Sequence, residues 1–356
     1  MLIEPLSVQE QIRTCEVIFV YLPGSIRDLI ALTPLLKNLR STYPNQELVA
    51  IGKPNISDIL GANQIFDRFL TKPSKSSGLI GYVRFIKQLR QLGSSAGILY
   101  RNSIASTIDL VLAGSQVRVG PKNAIYPLLT HCSEPIKKLS CMDQYKLITQ
   151  KLVTSNGDCL PNLLVDAKSS SICEAVFRKH SLNSDEILVG FNPGSDNGET
   201  KKWISDYFGE LAHKISDQVG PVRFMVFGGP GNEAQADQIC DLIGPRSINL
   251  SKECLGLNHV KPFFSRMNLF ITNDSGLRWY AAAMQTPTLV LFGPSDPDLN
   301  QYFPEDAHAI RKKVHCSPCD YVVCPVGLKC MKELTPDMVL ESVKKLLVKR
   351  GENEEE

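Results

Sequence analysis

The sequence predicts an α/β protein of two domains, each formed by a parallel β-sheet with helices on both faces. Short continuous apolar runs typical of buried parallel strands alternate with segments that have apolar residues at helical spacing. A polar stretch divides this alternation into two series, which indicates two sheets. The length of 356 residues agrees, because one hydrophobic core rarely serves a chain of this size.

The first domain is expected over residues 1–165. Its first strand is the run Val17–Leu22 (VIFVYL), and residues 28–42 follow as a helix in which Pro34 falls near the first turn, where proline is tolerated. The remaining elements are predicted strands at 47–51, 97–100 and 115–119 and predicted helices at 54–61, 79–93 and 142–154.

A polar connection between the domains is expected from Thr154 to Pro161 and from Asp166 to Ser171, where Ser, Asn, Gly, Asp and Pro dominate. The second domain is expected over residues 166–334. Its predicted strands are 187–191, 222–227, 269–272 and 288–292, and its predicted helices are 203–217, 232–243 and 275–285. An amphipathic helix at 335–350 and a disordered acidic tail at 351–356 are expected to follow.

The composition is that of a globular protein in water, with 43% hydrophobic and 21% charged residues. The sequence contains no run of about 18 apolar residues, which argues against a membrane-spanning helix. Acidic residues stand near the N-terminus where a secretory signal needs bases and an apolar run, so a cytoplasmic protein is expected. Seven of the eleven cysteines are scattered, as reduced thiols of cytoplasmic proteins are.

The charge is uneven along the chain. Between Lys72 and Lys151, twelve bases are opposed by only three acids. This segment is either an ordinary solvated surface or a surface that attracts an anionic partner, such as a phosphorylated glycolipid or a membrane. Nucleic acid is not expected as a partner, because no nucleic-acid-binding signature accompanies the charge.

The motif Asn273–Gly276 (NDSG) follows a predicted strand and opens a predicted helix, so it lies where parallel sheets bind ligands. Asp274 or Ser275 is expected to cap the helix, whose N–H groups would then face a diphosphate, and Gly276 permits close approach of a ligand. The alternative is an ordinary helix start without a ligand.

The segment from Asn192 to Trp203 follows another predicted strand in the same way. It contains Ser195 and Lys201, a hydroxyl and a cation that can neutralise phosphate oxygens, although Lys201 is equally explained as a solvated surface lysine. A glycine-rich turn, 227–234, comes after the next strand. It resembles a dinucleotide fingerprint of an oxidoreductase, but we favour a turn that brings Glu233 to a nucleotide ribose.

Two further features have both a functional and a structural interpretation. Asp28 follows the first strand, where a carboxylate can act as a general base or simply favour a helix start. A four-cysteine cluster has the spacing C-x2-C-x4-C-x5-C, which suits either a structural metal or reduced cysteines in a tight loop. Its members are Cys316, Cys319, Cys324 and Cys330.

Taken together and in this order, these motifs resemble those of the ADP-heptose:lipopolysaccharide heptosyltransferases, glycosyltransferase family 9. The resemblance extends from about Val17 to Leu347. The motifs that carry it are Asp28–Leu36 (DLIALTPLL), Asn192–Trp203 (NPGSDNGETKKW), Asn273–Gly276 (NDSG), Leu291–Pro297 (LFGPSDP) and Cys316–Met331 (CSPCDYVVCPVGLKCM).

The resemblance implies a GT-B fold, with two Rossmann-like domains whose parallel sheets face each other across a cleft. The first domain would bind a lipopolysaccharide-core-like or other anionic, lipid-linked glycan acceptor, and the second would bind ADP-heptose or a similar nucleotide sugar. The implied reaction is an inverting transfer that requires no cofactor or catalytic metal. It would occur in the cytoplasm, with peripheral contact at the inner membrane face.

Residue roles are also implied by the resemblance. Asp28 would be the general base for the acceptor hydroxyl, and Lys201 would neutralise the departing diphosphate. The implied substrate-binding residues are Ser195 for a phosphate, Glu233 for the ribose, and Asp274, Ser275 and Gly276 for the phosphates and sugar.

Two positions depart from the family pattern. The family usually has G-x-G-D before its first helix, whereas this chain has Ser25-Ile26-Arg27-Asp28. Trp279 stands where the family often has histidine. These departures leave two functions open: an active glycosyltransferase, or a catalytically degenerate sugar-nucleotide-binding or regulatory protein of the same fold.

Overall fold

The chain forms two units, residues 1–164 and 165–356. A computed structural model of the protein describes residues 6–134, 141–153, 160–183, 186–195, 198–253, 255–297 and 307–353. Each unit has a six-stranded sheet in which every described strand pair is parallel. The predicted α/β class with two parallel sheets is therefore confirmed.

The first unit has the strand order β3-β2-β1-β4-β5-β6. Its strands are β1 (Val17–Tyr21), β2 (Glu47–Gly52), β3 (Arg68–Thr71), β4 (Ser95–Leu99), β5 (Val117–Pro121) and β6 (His131–Ser133). Its helices are α1 (Val8–Arg13), α2 (Ile26–Thr42), α3 (Ile56–Leu60), α4 (Gly78–Arg90), α5 (Ile104–Ala113) and α6 (Cys141–Thr149). The direction of the strand order reverses between β1 and β4, and such a reversal is where ligands bind in sheets of this kind.

Helix α2 contains Pro34 in its interior rather than near its first turn, because the helix begins at Ile26, two residues before the predicted start, and runs to Thr42. Proline has no N–H to donate to the carbonyl four residues earlier, which here belongs to Ile30. The hydroxyl of Thr33 donates to that carbonyl over 2.7 Å, so the carbonyl keeps a buried partner. The helix therefore continues through the proline.

The second unit repeats the same topology, with the order β12-β11-β10-β7-β8-β9. Its strands are β7 (Ile187–Asn192), β8 (Val222–Val226), β9 (Ser247–Asn249), β10 (Leu269–Asn273), β11 (Thr288–Phe292) and β12 (Ala307–Arg311). Its helices are α7 (Ala167–Lys179), α8 (Ser205–Val219), α9 (Glu233–Ile243), α10 (Lys261–Arg266), α11 (Leu277–Ala283), α12 (Lys329–Lys332) and α13 (Pro336–Asn353). The reversal point lies between β7 and β10.

The C-terminal helix α13 belongs to the core of the second unit. Val339 and Val343 are fully buried in the same apolar cluster as Phe208 of α8 and Trp203. The indole N–H of Trp203 donates to the carbonyl of Leu334 over 2.7 Å, which fixes the chain just before α13. Packing of this helix closes one face of the sheet that carries the site described below.

Two expectations about irregular segments were wrong. Asp166–Ser171 is not a connection: Asp166 caps α7, accepting the N–H of Ser169 over 2.8 Å, and the helix follows. Polar residues suit a helix start as well as a linker, so composition misled the prediction. The tail expected to be disordered from 351 is helical through Asn353, while 354–356 and the expected connection at 154–159 lie outside the described residues.

Within the described ranges, no helix combines the length and the apolar character that crossing a bilayer requires.

Candidate active site

Two asparagines join the loops at the reversal point of the second sheet. The amide of Asn192, at the end of β7, donates to the hydroxyls of Thr272 (2.8 Å) and Ser275 (2.6 Å). Asn273, at the end of β10, accepts the backbone N–H of Trp203 over 3.1 Å and donates to the carbonyl of Pro193 over 2.6 Å. The loops that follow the two strands are consequently held as one surface.

Asp274 is the centre of this surface. Its Oδ2 accepts hydrogen bonds from Lys201 Nζ and from Ser295 Oγ, both at 2.7 Å, and its Oδ1 lies 3.1 Å from Arg278 Nη2. Burial by itself raises the pKa of the Asp274 carboxyl, but the Arg278 charge and the hydrogen bonds from Lys201 and Ser295 outweigh it and hold that pKa below its ordinary value. The carboxyl is therefore ionised at neutral pH.

Asp274 contacts two cationic side chains, Lys201 and Arg278, beside this loop surface. The Arg278 side chain is 4% exposed, whereas Lys201 is 18% exposed, so Lys201 is the cation that a ligand can reach. A cation that is partly shielded from water and still accessible favours an anionic ligand. The arrangement can neutralise charge on phosphate oxygens.

Arg278 is held by aromatic rings as well as by Asp274. Its guanidinium carbon lies 4.8 Å from the centre of the Trp279 ring and 5.5 Å from that of Phe292. Trp279 is buried and thus supports the arginine from the position where the family often has histidine. This contact gives the departure at Trp279 a structural role.

The expected capping of α11 by Asp274 or Ser275 was wrong. The residue at the helix start is Gly276, in ordinary helical conformation, and glycine has no side chain with which to cap the helix. The Asp274 carboxylate is engaged by Lys201 and Arg278, and the Ser275 hydroxyl accepts from Asn192. Both side chains have partners far away in sequence, which a local pattern cannot reveal.

The remaining predicted residues of the second unit lie on neighbouring loops. Ser195 follows β7, and its hydroxyl is buried with no hydrogen-bond partner among the described residues. Glu233 is exposed at the start of α9 and accepts the N–H of Gly231 over 2.7 Å. This turn lies against the Ser195 loop, because a Cβ at Gly194 would come within 3.3 Å of the Asn232 amide.

Asp28 belongs to the first unit, in the first turn of α2 after β1. Its N–H donates to the hydroxyl of Ser25 over 3.1 Å, and its carboxylate accepts from Arg27 Nε over 3.2 Å. Asp28 therefore stands at the reversal point of the first sheet, beside the arginine that departs from the family pattern.

The four-cysteine cluster surrounds a cavity of about 60 Å³ that Thr200 also lines. Within the described ranges, no group of three His, Cys, Asp or Glu side chains is close enough together to hold a metal ion. The N–H groups of Leu328 and Val326 lower the pKa of the Cys324 thiol, whereas burial raises the pKa of the Cys330 thiol.

The loop between these cysteines supports the loop that carries Lys201. The hydroxyl of Thr200 donates to the carbonyl of Tyr321 over 2.7 Å, and Val322 packs against Gly198. Gly198 has φ +88°, in the region that favours glycine, and a Cβ there would meet the Val322 carbonyl at 2.9 Å. The cysteine loop thus has a positioning role at the site.

Sequence reasoning missed Arg278, Ser295, Asn192 and Asn273 as parts of this site. One signal for Arg278 was available, because Asp274 and Arg278 are four residues apart and such pairs meet on a helix. The partners of the two asparagines are 70 to 83 residues away, so no local pattern contains them.

The sequence matches glycosyltransferase family 9 (heptosyltransferase) over residues 82–329. Lipooligosaccharide heptosyltransferase 2 of Campylobacter jejuni is 29% identical over 172 residues, which cover 47% of this chain and about half (53%) of that relative. Lipopolysaccharide heptosyltransferase 2 of Escherichia coli K12 is 24% identical over 348 residues, 93% of this chain and 98% of the relative.

Among solved structures, the E. coli ADP-heptose lps heptosyltransferase II has the same fold, with a TM-score of 0.73 and 21% identity over 94% of this chain and 99% of that one. The motifs after β7, β10 and β11 lie inside the range that matches the family, whereas Asp28–Leu36 lies before it. The range covers most of the chain, and the chain belongs to glycosyltransferase family 9.

Proposed function

We propose that this protein transfers a heptose from ADP-heptose to a hydroxyl of an anionic, lipopolysaccharide-core-like glycan, with inversion at the sugar. The observation that carries the proposal is the Lys201–Asp274–Arg278 cluster at the reversal point of the second sheet in a chain of family 9. ADP-heptose is named as the substrate of a structural relative, and here it is part of the proposal.

On the donor side, the developing negative charge of the departing ADP is neutralised by Lys201. Asp274 holds the lysine at 2.7 Å, so the cation is in place before the charge develops. Ser195 offers a buried hydroxyl without a protein partner among the described residues, which suits a phosphate oxygen. Glu233 is proposed for the ribose, and Ser275 and Gly276 for the phosphates and sugar.

On the acceptor side, Asp28 takes the proton of the attacking hydroxyl. The acceptor oxygen forms the new bond to the anomeric carbon as the bond from that carbon to the diphosphate breaks, and ADP leaves with the electron pair. A single displacement of this kind inverts the anomeric centre. The scheme requires no metal, because a lysine performs the charge neutralisation that a cation would otherwise supply.

The proposed acceptor is anionic because bases outnumber acids twelve to three between Lys72 and Lys151. We propose that this glycan is lipid-linked and reached at the inner face of a membrane, by a cytoplasmic protein with peripheral membrane contact. Nucleic acid is not part of the proposal.

A catalytically degenerate sugar-nucleotide-binding protein is the second candidate. The favouring observation is that Arg27 Nε donates to the Asp28 carboxylate over 3.2 Å, so an arginine that departs from the family pattern contacts the oxygen that a general base needs.

The two candidates are separated by incubating the protein with ADP-heptose and lipopolysaccharide-core fragments and measuring both ADP release and the glycan product. Lys201→Met is expected to lose transfer, whereas Lys202→Met is the matched control, because Lys202 pairs with Glu199 outside the cluster. Tight donor binding without product across a panel of acceptors would favour the degenerate candidate. Equal turnover by Lys201→Met and the native protein would contradict the proposed role of the cluster.

A further inference from the structure

Helix α4 presents large apolar side chains to solvent along its first half. Leu79 and Ile80 are each 77% exposed and Val83 is 57% exposed, whereas Phe85 and Leu89 on the opposite side are buried. Residues three and four apart lie on the same side of a helix, so Leu79, Ile80 and Val83 form one apolar surface. The core of the first unit does not use this surface.

Helix α5 has an outer side of the same character. Ile104, Ile108, Val111 and Leu112 are spaced at i, i+4, i+7 and i+8, and each is more than a third exposed. The fifth exposed residue of this helix is Ala105, so the solvent side of α5 contains no charged or hydrogen-bonding side chain. A solvent-facing helix normally carries polar residues there.

The two helices lie side by side. The Tyr82 hydroxyl of α4 donates to Asp109 of α5 over 2.7 Å, and Arg90 Nε donates to the carbonyl of Leu112 over 2.6 Å. The exposed side chains of both helices therefore form one surface, which we call the α4–α5 face. It consists of Leu79, Ile80, Val83, Ile104, Ile108, Val111 and Leu112. Contiguous exposed apolar surfaces of this kind mark interaction sites.

Positive charge adjoins the α4–α5 face. Arg84 and Lys87 are exposed on the same side of α4 as Ile80 and Val83. The two carboxylates between residues 72 and 134 are engaged elsewhere: Asp109 pairs with Lys72 at 2.6 Å and Glu134 with Lys122 at 2.8 Å. The bases of α4 are consequently not opposed by these acids.

We propose that the α4–α5 face docks on an anionic lipid bilayer. Helices with one apolar side and adjoining bases lie in the plane of a membrane interface, where the apolar side chains enter the acyl boundary and the bases meet the headgroups. A second copy of the chain fits less well, because a symmetric contact through this face would bring Arg84 and Lys87 of both copies together.

The α4–α5 face lies on helices that begin at the edge of the first sheet where ligands bind. Helices α4 and α5 follow β3 and β4, so both begin at the carboxyl edge of the first sheet, where ligands of such sheets bind. A lipid-linked acceptor would then reach that edge directly from the membrane surface. This link to the acceptor rests on the proposed function, whereas the docking itself does not require catalysis.

Vesicle flotation tests the proposal on the full chain without donor or acceptor. The native protein is expected to float with phosphatidylglycerol-containing vesicles, to bind pure phosphatidylcholine vesicles more weakly and to be released by salt. Ile80→Asn with Ile108→Asn is expected to weaken binding by at least about tenfold, and Lys87→Gln by about fivefold. The matched controls are Leu160→Asn, an exposed leucine (59%) of the same unit, and Lys37→Gln, an exposed base of α2.

Equal flotation of the face variants and the controls would overturn the proposal, as would failure of the native protein to bind anionic vesicles at low salt. A stable dimer that the Ile80→Asn, Ile108→Asn protein no longer forms would also overturn it, in favour of a second copy. Transfer to a soluble core fragment is measured in parallel. Vesicle binding lost with soluble transfer intact separates the docking face from catalysis, whereas normal vesicle binding without transfer contradicts the proposed function alone.

Discussion

Lys201 Nζ lies 2.7 Å from Asp274 Oδ2, so the lysine proposed to meet the diphosphate is held by a carboxylate of the same loop surface. Arg278 Nη2 lies 3.1 Å from the other oxygen of that carboxylate, Asp274 Oδ1. Arg278 is buried and packs on the Trp279 ring. The ring therefore helps to fix the arginine, the arginine fixes the Asp274 carboxylate, and the carboxylate fixes Lys201. In the proposed mechanism, Asp274 positions the cations that meet the phosphates.

Asp274→Asn is expected to destabilise the fold by about 3 kcal/mol, because it removes the carboxylate that contacts both Lys201 and Arg278 in a partly buried site. Denaturant unfolding measures the change. Asp296→Asn is the control, since Asp296 pairs with Arg311 at 3.5 Å in a more exposed setting and its replacement should cost much less. Equal stability of native protein and Asp274→Asn would mean that the cluster is not held together by this carboxylate.

The same carboxyl sets a pH dependence of stability in the acid range. Its pKa in the folded protein lies below the ordinary value of about 4, so the unfolded chain takes up a proton first as pH falls. The contribution of Asp274 to the free energy of unfolding is therefore complete above about pH 5 and is lost as pH falls through the folded pKa. We expect the stability difference between native protein and Asp274→Asn to be constant from pH 5 to 8 and to shrink below pH 4. A difference that shrinks near neutral pH instead would contradict this assignment.

Arg278→Met is expected to lower turnover about tenfold or more although Lys201 itself is unchanged. The reason is that Asp274, which holds Lys201, loses the cation that fixes its carboxylate. Arg278→Lys restores the charge but not the flat guanidinium that packs on Trp279, so partial rescue is expected. The measurement is steady-state transfer with both variants, together with the pH profile of turnover. The Met variant should lose activity at a higher pH on the acid side, because removal of Arg278 raises the pKa of Asp274. A parallel loss in both variants with no change in the pH profile would contradict a positioning role.

Asp28→Asn is expected to reduce transfer by a factor of about 10² to 10⁴ with donor binding nearly unchanged, since the general base acts on the acceptor. Calorimetric titration with ADP-heptose and a transfer assay measure the two effects separately. Asp58→Asn, in the first turn of α3, is the matched control for loss of one helix-terminal carboxylate in the first unit. Unchanged turnover in Asp28→Asn would remove this residue from the mechanism.

The sequence predicted the central strands of both sheets and missed the edges, for a physical reason. The strands predicted were β1, β2, β4 and β5 in the first sheet and β7, β8, β10 and β11 in the second. The four missed, β3, β6, β9 and β12, are the edge strands of their sheets. A central strand is buried on both faces and becomes a continuous apolar run, as in β1 (VIFVY), whereas an edge strand such as β3 is partly exposed and lacks that signature.

In the candidate site, the positions of residues could be predicted from the local sequence, whereas their contacts with residues distant in sequence could not. The positions of Lys201, Ser195 and Asp274 after strands could be predicted because parallel strands deliver their carboxyl ends to one edge. The contacts of Asp274 and Ser275 could not be predicted, since Lys201 lies 73 residues from Asp274 and Asn192 lies 83 residues from Ser275. Local propensity predicts a helix cap at these two residues. In the structure, tertiary contacts instead make Asp274 part of an ion pair and make the Ser275 hydroxyl a hydrogen-bond acceptor.

The cysteine cluster offers a test of how the loop beside Lys201 is built. The Cys324 sulfur accepts the N–H of Leu328 over 3.3 Å, and such donors lower the pKa of the Cys324 thiol, whereas burial raises the pKa of Cys330. Since the thiolate is the reactive form, we expect iodoacetamide at pH 7.5 to modify Cys324 several-fold faster than Cys330. Peptide mass spectrometry over a time course measures both rates in one sample. Modification of Cys330 first would mean that the loop opens before it reacts, and that the Thr200–Tyr321 contact does not hold it against the site.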